Sequence, residues 1–296
     1  MPILFSLAFA LALAAQPAPQ KKEAAKPPSP GEIAAAAPAS AWRRIADDDL
    51  LIFTLANNRK IVIQLAPGFA PEHVKRMRLL ANRKWWDDTS VYRVQDNYVA
   101  QWGDVTEKKK LPEGVADTGP SEYTRLGVRP VIKVKPDPYA SIVGFTDDGW
   151  PMASDGRASW LTHCYGMVGV GRDLAPSIGS GAELYAVIGH APRALDRNIA
   201  LVGRVIEGID ALSSLERGTG ALGFYAKDQR PTPIVSARLA SSLSASERPR
   251  FEYLWPGSPS FATYLHAREN REPPFFMVPA KGADICNVPV PIRKKS

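Results

Sequence analysis

The sequence predicts a mainly β fold, a closed antiparallel barrel rather than a βαβ sheet, and three observations carry that prediction. Short apolar segments bounded by turn residues recur between residues 50 and 239, and only two stretches in that span show helical spacing. Hydrophobic residues make up 45% of the 296, enough for a real core.

Leu50–Leu55 and Lys60–Leu65, separated by Asn57-Asn58, read as strand, turn and strand on their β-branched content. Pro67-Gly68 ends the second strand. From Ala70 to Asn82, Val74, Met77, Leu80 and Ala81 fall at helical spacing, with Lys75, Arg76 and Arg78 turned outward. Pro71 suits the first helical turn, where a missing N–H costs nothing. Short apolar segments follow at Val91–Val94, Tyr98–Trp102, Tyr165–Val170, Leu184–Ile188 and Ala200–Val205. A short helix fits Ile209–Leu215, closed by Gly218, and Pro233–Leu239 reads as a last strand. Residues 105–165, rich in proline and glycine between Pro112 and Pro151, read as a long loop insertion over one face of the core. Residues 241–296 contain Trp255, Phe261, Tyr264, Phe275 and Phe276, and are expected to pack on the barrel as a C-terminal extension.

Ile3–Leu13 is apolar, too short to span a bilayer comfortably, and runs into the small-x-small pattern Ala12-Leu13-Ala14. Residues 1–15 therefore read as a cleaved signal peptide, which places the protein in the periplasm or outside the cell; an uncleaved anchor is the competing reading. Residues 16–41 are largely Ala, Pro, Lys and Ser in low-complexity order, and residues 16–46 are expected to be a flexible Ala/Pro-rich linker, with order beginning near Asp47. Cys164 and Cys286, the two cysteines, are compatible with one bridge between tail and body or with two buried thiols.

The formal charge is +7, but 37 basic and 30 acidic residues are interspersed, so a basic soluble surface is expected and no nucleic-acid partner. His73, His163, His190 and His266 show no metal-ligand spacing with either cysteine. Gly169-x-Gly171 and Gly179-Ser180-Gly181 lack the Gly-Lys-Ser/Thr of a phosphate loop. Neither a metal nor another cofactor is expected.

Val91-Tyr92-Arg93-Val94, followed by Tyr98-Val99-Ala100-Gln101-Trp102-Gly103-Asp104, resembles the cyclophilin signature of an Arg, an aromatic, an apolar residue and Gln-x-Gly-Asp. Gly166-Met167-Val168-Gly169-Val170-Gly171-Arg172 resembles the family's Gly-x-(Val/Leu)-Ser-Met-Ala-(Arg/Asn) strand. Gly181-Ala182-Glu183-Leu184-Tyr185-Ala186 falls where the family has Gly-Ser-Gln-Phe-Phe-Ile. Leu195-Asp196 and Val202–Gly208 match its Leu-Asp-Gly and Phe-Gly-x-Val-x-x-Gly pieces. The motifs occur in the family's order across residues 47–240. The resemblance implies an eight-stranded antiparallel barrel capped by two helices, and peptidyl-prolyl cis-trans isomerase activity on proline-containing polypeptides.

An X–Pro bond rotates slowly because amide resonance sets a barrier of about 18–20 kcal/mol. Lowering it needs no nucleophile, metal or base, only a site that binds the twisted amide better than the planar one. By resemblance Arg93 and Gln101 are catalytic: Arg93 meets the prolyl nitrogen as its lone pair is exposed, and Gln101 holds the neighbouring carbonyl. Tyr98, Val99, Tyr185 and Leu195 match the proline pocket, and Gly171, Arg172 and Glu183 complete the substrate-binding set.

The chain departs from the pattern in several places. Tyr98 and Tyr185 stand where Phe is usual, so a hydroxyl could reach the pocket rim or obstruct the proline ring. Glu183 replaces Gln and could pair with Arg93 or Arg172, diverting the guanidinium from the amide. Ala194 replaces the Trp of cyclosporin-sensitive members, so weak or no binding of that inhibitor is expected, and Ile199 stands where some members have His. The expected protein is a monomeric isomerase assisting the folding of exported proteins; the alternative is a catalytically weak chaperone or proline-segment binding module on the same fold.

Overall fold

A computed structural model describes residues 27–295. The signal-peptide reading of residues 1–15, and the first part of the linker, lie outside the described residues. Eight strands form a closed barrel: β1 Leu50–Leu55, β2 Lys60–Leu65, β3 Thr89–Val94, β4 Val99–Gly103, β5 Met167–Val170, β6 Leu184–Val187, β7 Leu201–Glu207 and β8 Thr232–Leu239. Their order around the barrel is β5-β6-β4-β3-β8-β1-β2-β7, closing antiparallel from β7 to β5. Closure leaves no unpaired strand edge.

Strand alternation sorts the side chains. Leu51, Phe53 and Leu55, Ile61, Ile63 and Leu65, and Leu184 and Ala186 point into one core, where Phe53 meets Trp86 and Trp102 edge-on at 5.3 and 5.5 Å. Helix Pro71–Asn82 adds Val74, Met77, Leu80 and Ala81 to that core, and helix Asp210–Ser213 adds Ala211 and Leu212. These are the two helices expected from the sequence.

The intervening positions are not all in water. Leu50, Ile52 and Val62 are buried beneath Phe251 and Ala240. Ala66, Phe69, Met167 and Leu201 join a second apolar core with Phe145, Trp150, Met152, Phe261, Tyr264 and Leu265. That second core is built from three segments for which the sequence suggested little regular structure.

Residues 105–165 are the first correction: not long loops alone but a five-stranded antiparallel sheet. Its order is Arg125–Leu126, Ala158–Leu161, Pro151–Ser154, Ile142–Phe145, Ile132–Val134. The strands are short, and Pro151–Ser154 is buried on both faces, so no period-two pattern marks them. Arg204 of β7 fastens this sheet to the barrel. Its guanidinium donates to the Gly149 carbonyl at 2.7 Å and to Gln64 Oε1 at 2.8 and 3.0 Å, and lies 4.7 Å from the Trp150 ring centroid. Burial pulls this Arg down to about 10, which leaves it charged at neutral pH.

The second correction concerns residues 27–46, which are ordered rather than a flexible linker. Ser29 caps a helix at Pro30–Ala35: its Oγ accepts from Glu32 N at 3.3 Å, while Glu32 Oε2 accepts from Ser29 N at 2.7 Å. A six-residue helix is marginal alone, and it packs on the tail helix Pro259–Glu269. Trp42–Arg44 then pairs with Arg250–Leu254, which pairs with Ile292–Lys295, in a three-stranded antiparallel sheet. The C-terminal extension thus folds together with residues 27–46, the insertion and the barrel wall. Phe261 and Tyr264 are buried there, whereas Phe275 is 84% exposed. Cys164 and Cys286 are joined by a disulfide, with Cα atoms 4.9 Å apart.

Candidate active site

β3, β4, β5 and β6 carry the predicted site on the outer face of the barrel. Arg93 and Gln101 are register partners across β3 and β4, and Gln101 is opposite Tyr185 across β4 and β6. This register sets Arg93, just past a bulge after Val91, beside Gln101 and Tyr185, while Ala100, Trp102, Leu184 and Ala186 face the core.

Arg93 is half-buried and held from three sides. Its Nε donates to the Leu222 carbonyl at 2.8 Å, Nη1 to Gln101 Oε1 at 2.9 Å, and Nη2 to Gln95 Oε1 at 2.6 Å. A guanidinium carries five N–H groups, so two remain for a ligand. Burial lowers its pKa from the usual arginine value, and the charge survives because that value lies far above neutrality. Its Cζ lies 5.1 Å from the Phe224 ring centroid and 6.0 Å from that of Tyr98.

Gln101 is fixed at both ends, since its Nε2 also donates to Tyr92 Oη at 2.9 Å. Tyr92 in turn donates to Glu183 Oε2 at 2.6 Å, and Glu183 Oε1 accepts from Asp104 N at 2.8 Å. Glu183 therefore pairs with neither Arg93 nor Arg172, against the expectation from sequence. Its carboxylate rests on Gly103, where a Cβ would come within 1.9 Å of Oε2, so any side chain there would push the carboxylate out of this position. Burial raises the Glu183 pKa, outweighing the Tyr92 donor, and raises that of Tyr92 as well. Asp104 does not reach this face: its carboxylate caps the following turn through Thr106, Lys108 and Lys109.

Val99, Tyr185 and Val187 form an apolar cluster joined by Tyr98 and Ile199. Three of the four pocket residues expected from sequence thus come together; Leu195, half-exposed on the turn Arg193–Leu195, lies outside this cluster. The Tyr185 hydroxyl neither reaches the rim nor obstructs the face. It bonds His163 Nε2 at 2.9 Å, and its ring lies so close to Gly169 that a Cβ there would be 2.3 Å from Cζ. Gly171 has a similar part: its N–H donates to the Glu183 carbonyl at 2.8 Å, and a Cβ would stand 3.4 Å from Gln101 Nε2. Arg172 is exposed and tied away from Glu183, donating to the Asn198 carbonyl at 3.0 and 3.1 Å.

Four residues of this site have no counterpart in the sequence reading. Gln95, Leu222 and Phe224 surround Arg93, and Phe224 stacks on Tyr92 at 5.9 Å. His163 holds Tyr185 from the insertion. Phe224, 39% exposed, and the left-handed Leu222 (φ 55) sit on a loop between β7 and β8 whose sequence carries no motif. A separate cavity of about 520 Å³, lined by Ser29, Ile33, His266 and Phe275, shares none of these residues. Among the described residues, no group of three or more His, Cys, Asp or Glu side chains is placed to hold a metal ion.

Comparison with known proteins agrees with the barrel fold. The family profile described as "Cyclophilin type peptidyl-prolyl cis-trans isomerase/CLD" matches residues 50–238. A protein of Brucella suis named a probable peptidyl-prolyl cis-trans isomerase is 22% identical over 197 residues, covering 66% of this chain and 84% of its own length. A Brucella melitensis protein of the same name matches to the same extent. The crystal structure of cyclophilin AquaCyp293 from Hirschia baltica superposes with a TM-score of 0.67 at 25% identity, covering 86% of this chain and 93% of that one. The profile spans most of the chain and covers the barrel, from the start of β1 to the penultimate residue of β8. The chain therefore belongs to the cyclophilin-type peptidyl-prolyl cis-trans isomerases.

Proposed function

We propose that this isomerase acts on X–Pro bonds of exported polypeptides, with Arg93 stabilising the twisted prolyl amide. One observation carries the reading: a guanidinium anchored at three points, with two N–H groups unengaged, stands beside the cluster of Tyr98, Val99, Tyr185 and Ile199. The cluster receives the proline ring. As the C–N bond twists, the prolyl nitrogen becomes pyramidal and its lone pair meets the free N–H groups of Arg93. Those donors are already oriented by Leu222, Gln95 and Gln101, so no reorganisation is needed when the charge develops. The Gln101 amide spends one N–H on Tyr92 and has a second for the neighbouring carbonyl. No bond is made to the substrate; the site works by binding the transition state better than either planar isomer.

Export is supported by the apolar run Ile3–Leu13 with its small-x-small end, and by a disulfide of the kind that oxidising compartments maintain. Weak cyclosporin binding belongs to the same reading, because Ala194 is an exposed small residue where sensitive members have Trp, and so does action as a monomer. The test is the interconversion rate of a short proline peptide, followed by exchange NMR with the purified chain. Acceleration is expected; a folded protein that leaves the rate unchanged would move the assignment to a proline-segment binding module.

A further inference from the structure

We infer that His163, a residue of the insertion, is a positioning residue for the isomerisation, acting by fixing the Tyr185 ring beside Arg93. The inference rests on the reading of Arg93 and Tyr185 as the isomerisation site.

His163 is fully buried, and both of its ring nitrogens are engaged. Nδ1 and the backbone N lie 2.9 Å from Asp196 Oδ1, and Nε2 lies 2.9 Å from the Tyr185 hydroxyl. A carboxylate can only accept, so the Nδ1 proton belongs to the bond with Asp196. In the neutral imidazole Nε2 then carries a lone pair, to which the Tyr185 O–H donates. The second Asp196 oxygen accepts from Arg193 Nε, and Arg193 Nη1 donates to Asp137 Oδ2 at 2.7 Å. Side-chain exposures along this chain are 0% for His163, 5% for Asp196, 3% for Arg193 and 7% for Asp137.

Burying two carboxylates, a guanidinium and an imidazole is costly unless all are paired. None of the four belongs to the apolar core of the barrel. Their line of bonds ends on one group, the hydroxyl of a ring in the apolar cluster beside Arg93. A Phe at 185 would pack there without any partner. The Tyr needs one, and in return the ring is fixed in rotation and in position by a hydrogen bond at its far end. Gly169 provides the space, with the ring against its backbone and the hydroxyl passing over it. His163 and Asp137 come from the insertion, and Arg193 and Asp196 from the loop between β6 and β7. The insertion thereby reaches the Tyr185 ring through the His163 side chain. Misplacement of a substrate-contacting group by a fraction of its size can cost large factors in rate.

The experiment compares turnover of a proline peptide by exchange NMR in the full chain and in Tyr185→Phe, His163→Leu, His163→Gln and the double variant His163→Leu/Tyr185→Phe. Each rate is normalised to the folded fraction, and peptide affinity is measured alongside. Tyr185→Phe and His163→Leu should each lower kcat/KM by about tenfold, the scale of one hydrogen bond, with the loss mainly in kcat. In the Tyr185→Phe background His163→Leu should add nothing further. His163→Gln, whose amide oxygen can accept from the hydroxyl, should recover most of the turnover. Full turnover per folded molecule in His163→Leu, or the same fractional loss in both backgrounds, would overturn the inference. If His163→Leu does not fold, wild-type turnover in Tyr185→Phe overturns it just as well. A wild-type chain without activity would remove the underlying reading, and this one with it, whereas an active wild type with indifferent variants removes only this one.

Discussion

Arg93→Ala separates the folding role of this side chain from its catalytic one. The substitution removes the donors to Leu222 O, Gln95 Oε1 and Gln101 Oε1. Leu222 is 66% exposed and both glutamines are half-exposed, so water can replace each bond, and the net folding cost per bond stays near the lower end of about 0.5–1.5 kcal/mol. The transition-state contact behaves differently. A preorganised donor at a developing charge is worth about 2.7–4 kcal/mol, or roughly 10²–10³ in rate. Arg93→Ala is therefore expected to keep a thermal midpoint close to the wild type while losing roughly two to three orders of magnitude in catalysed exchange. Arg93→Lys should recover only part, because an ammonium cannot hold the three divergent anchors and still offer two N–H groups in a plane. The assay is exchange NMR on a proline peptide, with affinity measured by titration. A folded Arg93→Ala protein within about threefold of the wild-type rate, less than one hydrogen bond's worth, would refute the assignment.

Cys164→Ser/Cys286→Ser opens a link between residues 122 apart in sequence, and loss of such a bridge typically costs about 2–5 kcal/mol. Urea unfolding should show it, and an unchanged midpoint would mean that the second core holds the tail unaided. Glu183→Gln should flatten the dependence of stability on pH. Burial holds the native Glu183 pKa above its ordinary value of 4.5, so above that value the native protein keeps a proton the unfolded chain has lost. Stability from this group falls as pH rises through the window between the two values and is restored on acidification. The wild type should gain on Glu183→Gln in urea midpoints on going from about pH 8 to about pH 4, and parallel curves would contradict it.

The barrel was legible because its strands are short apolar, β-branched runs bounded by turn residues, as in Lys60–Leu65 between Asn57-Asn58 and Pro67-Gly68. The family motif made the site legible, while strand geometry places it: Gln101 and Tyr185 are odd steps from core residues on their strands, and Arg93 joins them just past a bulge, since Val91 and Val94 both face the core. What failed were segments that borrow their core from elsewhere. Pro151–Ser154 is buried on both faces and has no period. Residues 27–46 have the composition of a tether, yet Ser29-Pro30-Gly31-Glu32 is a capping box with proline at the first helical position, a signal outweighed by the Ala and Pro content around it. Leu222 and His163 reach the site only through tertiary approach, and no local pattern could have marked them, whereas Gln95 lies two residues from Arg93 and goes unmarked because it stands outside the motif residues. The acid at 183 was visible, but its partner was not, since Tyr92 lies 91 residues away in sequence.

Gly169 and Tyr185 replace the Ser and Phe of the family pattern, and the structure makes them one change rather than two. A Cβ at 169 would lie 2.3 Å from both Cζ and the hydroxyl oxygen of Tyr185, and 2.7 Å from Cε1. No side-chain atom fits at that distance, so Gly169→Ser must displace the ring. With the hydroxyl bonded to His163, displacement also breaks that bond, and the cost adds overpacking of about 1–3 kcal/mol to a buried group left unpaired. Tyr185→Phe releases the ring from His163 and lets it move off residue 169. Restoring Ser at 169 should therefore be damaging in the wild type and milder in the Tyr185→Phe background, in stability and in turnover alike. The measurement is a double-mutant cycle on urea midpoints and exchange rates. Strictly additive effects would mean that the two positions changed independently, and that the ring is held by its packing rather than by the bond at its end.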